Sequence, residues 1–153
     1  MPTPLSFTLT KITFSLISKK KIDKINIDSS LIRQVVMNLI SNAIKYSKSQ
    51  SGCCGVVVSL EIKENVILVS VKDSGVGIPE NDQSRIFNKF YRADNAVQLA
   101  AEGSGLGLYI AKLIIEASGG KIWFESEENK GTTFHFTLPL AGSKEYKGEK
   151  GLA

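Results

Sequence analysis

Asn38-Leu39-Ile40-Ser41-Asn42-Ala43-Ile44-Lys45-Tyr46 combines an apolar helical stripe with two asparagines set into its edge. Leu31, Val35 and Leu39, with Ile32, Val36, Ile40 and Ala43, repeat at helical spacing behind an N-cap at Asp28 or Ser29. This predicts a helix running to about Ser47. At about 100° per residue, Asn38 and Asn42 lie about 40° apart, and Lys45 and Tyr46 fall near the same edge one turn later. Asparagine is a poor helix former and is costly to bury without partners. Two of them beside Lys and Tyr suggest one wall of a polar pocket. An amide oxygen suits magnesium, and a lysine can reach phosphate. The same spacing also suits partly exposed helix residues.

Toward the C-terminus, residues 56–62 and 66–72 are rich in β-branched residues and flank a short turn, so two strands are expected. The second runs into Asp73-Ser74-Gly75-Val76-Gly77-Ile78-Pro79. Glycines there let the backbone approach a ligand closely, and a carboxylate at a strand end can accept from an amine such as the exocyclic amino group of a purine. An ordinary Asp-Gly turn reads the same way. A short helix around 81–88 and an irregular stretch lead to Gly103-Ser104-Gly105-Leu106-Gly107-Leu108, which opens a helix over 106–118 that stops at Gly119-Gly120. Backbone N–H groups at such a helix start can hold phosphate. The spacing is not the dinucleotide fingerprint, and Gly120-Lys121 is followed by Ile122 rather than by the hydroxyl of a P-loop. Strands over 121–126 and 132–140 close the pattern.

Toward the N-terminus, Leu5, Phe7 and Leu9, then Ile12, Phe14 and Leu16, alternate with polar residues as one irregular strand or two short ones. Lys19, Lys20, Lys21 and Lys24 read as a solvated turn. The expected fold class is α+β, a two-layer sandwich with helices on one face of a sheet. A length of 153 residues with 42% hydrophobic and 22% charged residues fits one domain with a real core. The net charge of +4 suits anionic ligands but does not argue for nucleic acid or membrane binding. Adjacent Cys53 and Cys54 cannot clip a fold across distance, and read as thiols in a loop of a reduced, cytoplasmic domain. The one histidine, His135, excludes a self-contained His-based zinc site. It alternates with Phe134 and Phe136 in the last strand, and is expected to be structural.

Taken in order, these segments resemble the sensor histidine kinases of bacterial two-component systems. Asn38 to Tyr46 is similar to their N box, Asp73 to Gly77 to their first glycine box, Ile86-Phe87-Asn88-Lys89-Phe90-Tyr91-Arg92 to their F box, and Gly103 to Leu108 to their second glycine box. Gly119 to Ser126 and Gly131-Thr132-Thr133-Phe134 are similar to the family's closing segments. The resemblance implies the Bergerat ATP-binding fold, with a mixed sheet and helices on one face. Residues 1–140 are then one catalytic and ATP-binding domain, and residues 141–153 a disordered tail.

By resemblance, Asn42 ligates magnesium, Asn38 assists near the phosphates, and Lys45 and Arg92 contact phosphate. Tyr46 lies against adenine, and Asp73 accepts its amino group. Gly75 and Gly77 give the base room, Ile78 is a further ATP-binding residue, and Thr132 supports Asp73 through water. The backbone of Gly103, Ser104, Gly105, Leu106, Gly107 and Leu108 caps the phosphates. Residues 93–102 are implied to be a mobile lid, with Phe87 and Phe90 packing its base. Related hydrolases usually carry a glutamate where this chain has Asn38, and a neutral amide is no general base, so slow ATP hydrolysis is expected. The phosphoacceptor histidine is implied to lie on a separate dimerisation domain, with a response regulator downstream. Rival implications are a serine kinase of the anti-sigma type or a nucleotide-sensing binding module.

Overall fold

The computed structural model describes residues 11–17, 25, 27–47, 55–100 and 102–140. The expectations for Leu5 to Leu9, the lysine run, Cys53 and Cys54, and the tail 141–153 lie outside the described residues. The elements, in chain order, are β1 (Lys11–Ile17), α1 (Ser29–Tyr46), β2 (Gly55–Ile62), β3 (Val66–Lys72), α2 (Glu80–Gln83), α3 (Asp94–Leu99), α4 (Gly107–Ala117), β4 (Ile122–Glu127) and β5 (Gly131–Pro139).

The strands form one sheet in the order β1-β2-β3-β5-β4. β1 runs parallel to β2 and every other pair is antiparallel, which makes the sheet mixed. Period-two alternation decides its faces. Val56 and Val58 of β2, Ile67, Val69 and Val71 of β3, and Phe134, Phe136 and Leu138 of β5 are buried against Val35, Leu39 and Ala43 of α1 and Ala111, Ile114 and Ile115 of α4. The expected two-layer α+β architecture is therefore observed. α1 starts where Asp28 Oδ1 accepts from Ser30 N at 2.9 Å and Leu31 N at 3.2 Å, a cap worth about 1 kcal/mol. α4 ends where Gly119, at φ +78°, lets Gly120 N donate back to Ile115 O at 2.9 Å.

Two local expectations change. The helix expected over 81–88 shortens to α2, and turns continue from it to Phe90. The irregular stretch contains a helix, α3, because Ala96 N and Val97 N donate back to Ala93 O. Phe14 and Leu16 of β1, in register with Val58 and Leu60, are largely exposed. They share the apolar face, but among the described residues α1 packs chiefly over β2 and β3 rather than over the edge strand.

The other face of the sheet carries the row Ser15–Ser59–Ser70–His135–Trp123 across all five strands. His135 Nδ1 lies 2.7 Å from Ser70 Oγ, and its ring stacks on Trp123 at 5.3 Å between centroids. Burial holds its pKa below the ordinary histidine value, with the nearby Glu125 charge acting the other way.

Candidate functional site

β3 delivers Asp73 to the edge of the helical layer, where its backbone N donates to Thr132 O of β5 at 2.9 Å. The side chain is buried. Its Oδ1 accepts from Gly75 N at 2.8 Å and Thr132 N at 3.2 Å. Burial raises the Asp73 pKa above the ordinary carboxylate value, although both backbone bonds favour the charge. Thr132 thus supports Asp73 through its backbone. Its Oγ1 lies 2.8 Å from Ser126 Oγ. Ser126 Oγ also donates to Gly131 O and accepts from Ile78 N. One hydroxyl has one proton, so Thr132 must donate to Ser126.

The loop after Asp73 leans on the end of α1. Val76 N donates to Tyr46 O at 3.2 Å, and a Cβ on Gly75 would sit 2.2 Å from that same oxygen. Gly77, at φ +67°, passes so close to β4 that a Cβ would lie 2.1 Å from Glu127 O. Glycine is required here for space and, at Gly77, for conformation as well.

A second group gathers around Gly103. A Cβ there would lie 3.2 Å from Lys45 Nζ and 3.4 Å from Arg92 Cζ. Lys45 Nζ donates to Glu102 O, and Arg92 donates to Ala100 O. Phe90 N donates to Gly105 O at 3.1 Å, and both residues have positive φ, +63° and +69°. For a bulky residue such as Phe90 this is a strained conformation. Phe90 is 66% exposed, contrary to the expected packing at the lid's base. Phe87 does pack inward, 5.9 Å from the Phe124 ring and 6.4 Å from that of Phe134. α4 begins with no side-chain cap on its first N–H groups.

Between these groups lies a cavity of about 250 Å³. Of the residues read from the sequence, Asn42, Lys45, Tyr46, Asp73, Gly77, Ile78, Arg92, Gly103, Ser104, Gly105, Gly107, Leu108 and Thr132 line it. Asn38, Gly75 and Leu106 do not. Asn38 Nδ2 donates to Gly107 O at 3.2 Å, so this asparagine ties α1 to the start of α4 instead of facing the cavity. Gly75 makes room for Tyr46 O, and Leu106 is the residue before α4.

Sequence reasoning missed Asp82 and Asn95. Asp82 is buried, and its Oδ1 accepts from Tyr91 Oη at 2.5 Å and Arg85 at 3.1 Å, while Oδ2 accepts from Asp94 N at 3.4 Å. It therefore holds both ends of the turn leading into α3, and its bond to Tyr91 raises that phenol's pKa. The Asp82–Arg85 spacing was a usable signal for this pairing. Asn95 lines the cavity and donates through Nδ2 to Gly77 O at 2.9 Å, a contact across 18 residues with no local signature.

The model of the histidine kinase-, DNA gyrase B-, and HSP90-like ATPase family matches residues 27–142. The chain is 45% identical over 121 residues to sensor histidine kinase WalK of Bacillus subtilis, covering 79% of this chain and 20% of that protein. It is 41% identical over 117 residues to sensor protein kinase WalK of Staphylococcus haemolyticus, covering 74% and 18%. The chain thus spans about a fifth of the length of these relatives. Among solved structures it is similar to the nucleotide-free catalytic domain of histidine kinase ThkA, at 33% identity and TM-score 0.66 over 84% of this chain and 80% of that one. It is also similar to full-length ShkA in complex with AMPPNP, at 25% identity and TM-score 0.69 over 90% and 26%. With its buried aspartate, glycine-lined cavity and mixed sheet, the chain belongs to the histidine kinase-, DNA gyrase B- and HSP90-like ATPase family, as a catalytic domain of the histidine kinase kind.

Proposed function

We propose that the cavity binds Mg-ATP and that the domain donates the γ-phosphoryl group to a histidine on a separate dimerisation and phosphoacceptor domain. A response regulator acts downstream, and the domain works on the cytoplasmic side of its parent without touching the membrane itself. Residues 1–140 are the working unit. Among the described residues, no helix is long and apolar enough to cross a membrane.

The observation that carries this reading is Asp73. A buried carboxylate has two backbone donors on Oδ1, and its raised pKa marks a charge short of partners. A purine amine supplies one more donor at Oδ2. Tyr46 and Ile78 line the same cavity as apolar surface for the base.

Lys45 and Arg92 rest on carbonyl oxygens of the lid, and a phosphate is a stronger acceptor for both. Moving these bonds onto the nucleotide draws the lid to the ligand, while the uncapped N–H groups of α4 face the anion. Among the described residues, no cluster of three His, Cys, Asp or Glu could hold a metal ion unaided. Asn42 brings one amide oxygen to the cavity, a donor set that fits magnesium, which takes its other ligands from phosphate and water. When bound, the cation neutralises charge on the transferring group. Asn38, neutral and engaged with Gly107, supplies no base for water.

The test mixes this chain, labelled ATP and a cognate phosphoacceptor domain. Acid-labile label on histidine is expected, with slow hydrolysis of ATP by the chain alone. Absence of label, or acid-stable label on serine, overturns the proposal.

A further inference from the structure

We propose that Asn95 is a specificity residue of this cavity. Its side-chain oxygen accepts a hydrogen bond from an N–H or O–H on the nucleoside part of the bound nucleotide. The inference rests on reading the cavity as the nucleotide site.

Gly77 O can only accept, so the amide of Asn95 must turn its NH2 toward it, at 2.9 Å. That orientation is forced, and it points the carbonyl the other way. Among the described residues, Asn95 Oδ1 is then buried with no hydrogen-bond partner, while the residue lines the cavity. A buried acceptor without a donor is unfavourable, and a ligand group that supplies the donor removes that cost on binding. A latch between α3 and the glycine loop would need only the Nδ2–H.

Placement selects the part of the ligand concerned. Gly77, which Asn95 holds, belongs to the loop in which Gly75 N bonds Asp73 Oδ1. Lys45 and Arg92 gather at Gly103 instead. Asn95 thus meets the base or the sugar and leaves the phosphates to the cations. Two nucleoside donors fit this chemistry: the second hydrogen of the adenine amine, once Asp73 has taken the first, and a ribose hydroxyl.

Calorimetry on the full chain distinguishes them. ADP is compared with N6-methyl-ADP, which removes one amine hydrogen, and with the 2′-deoxy and 3′-deoxy analogues. Each is measured on the wild-type chain, on Asn95→Leu and on Asn95→Ala. In the wild type, one analogue binds roughly tenfold more weakly than ADP, the usual loss when a buried partner is removed. Both variants bind that analogue and ADP alike. The analogue that shows this pattern identifies the donor. If the variants lose affinity equally for ADP and all three analogues, Asn95 is only a latch and the inference is overturned. Asp73→Asn separates the two levels of the reading. If it binds ADP as the wild type does, or if the wild type does not bind ADP, the nucleotide site itself is wrong and the inference falls with it. A cooperative melting transition of the ligand-free variants shows that they fold; both changes take the Nδ2–H away from Gly77 O, so a melting temperature somewhat below wild type is expected.

Discussion

Asp73 separates binding from stability at a single position. Its folded-state pKa is raised, so the ionised form is disfavoured in the folded chain and weighs against stability at neutral pH. Asp73→Asn keeps an oxygen for Gly75 N and Thr132 N while removing that charge. The ligand-free variant should therefore melt no lower than the wild type. Its NH2 would then oppose the purine amine, and ADP affinity should fall by more than tenfold, a loss above about 1.4 kcal/mol by calorimetry. His135 shows the opposite linkage. Its folded pKa is lowered, so the unfolded chain takes up the proton first. The stability it contributes is complete above about pH 6.5 and is lost as pH falls from there through the lowered folded value. His135 is the chain's only histidine, so that window is not shared with another imidazole. Melting temperature should decline between pH 7.5 and 5.5, and the decline should flatten in His135→Asn.

Between residues and fold stands the segment from α2 to α3, held by one buried carboxylate. Asp82→Ala would take the acceptor from the Tyr91 hydroxyl, release Arg85 to solvent and free Asp94 N. A loss of about 1–3 kcal/mol is expected in denaturant titration, with faster amide exchange confined to residues 91–100. At the other lip of the cavity, Gly77→Ala adds positive-φ strain to a backbone collision with Glu127 O, which should cost at least about 1–3 kcal/mol in the same titration. α1, α4 and the strand pairs were legible as elements because their apolar residues keep period 3.6 or 2 over several turns. α3 was not, because Asp94–Leu99 is too short to show a period and is held by contacts from outside itself. The bond from Asn38 to Gly107 was not legible for a related reason. Helical spacing puts it on the edge shared with Asn42, but α4 packs against α1 and covers that part of the edge first.

For the molecule as a whole, the cavity is built from parts far apart in sequence: the end of α1, the loop after β3, the segment through α3 and the start of α4. A ligand touching all of them binds the folded chain alone. At a hundredfold excess over Kd it should stabilise by about 2.7 kcal/mol and raise the melting temperature by roughly 5–10 °C. Asp73→Asn should show little of this shift under the same conditions. The sequence by itself determined the fold class and the helical, strand and glycine segments, because alternation, helical spacing and glycine placement are local properties of a chain; most cavity-lining residues followed from the order of those segments through the family resemblance. Tertiary structure alone decided that Thr132 holds Asp73 by its backbone, that Asn38 braces α4, that Asp82 anchors the segment leading into α3, and that Asn95 reaches Gly77 with its carbonyl unpaired among the described residues. Each of these is a hydrogen bond between segments brought together only when the core closes, and no spacing along the chain encodes it.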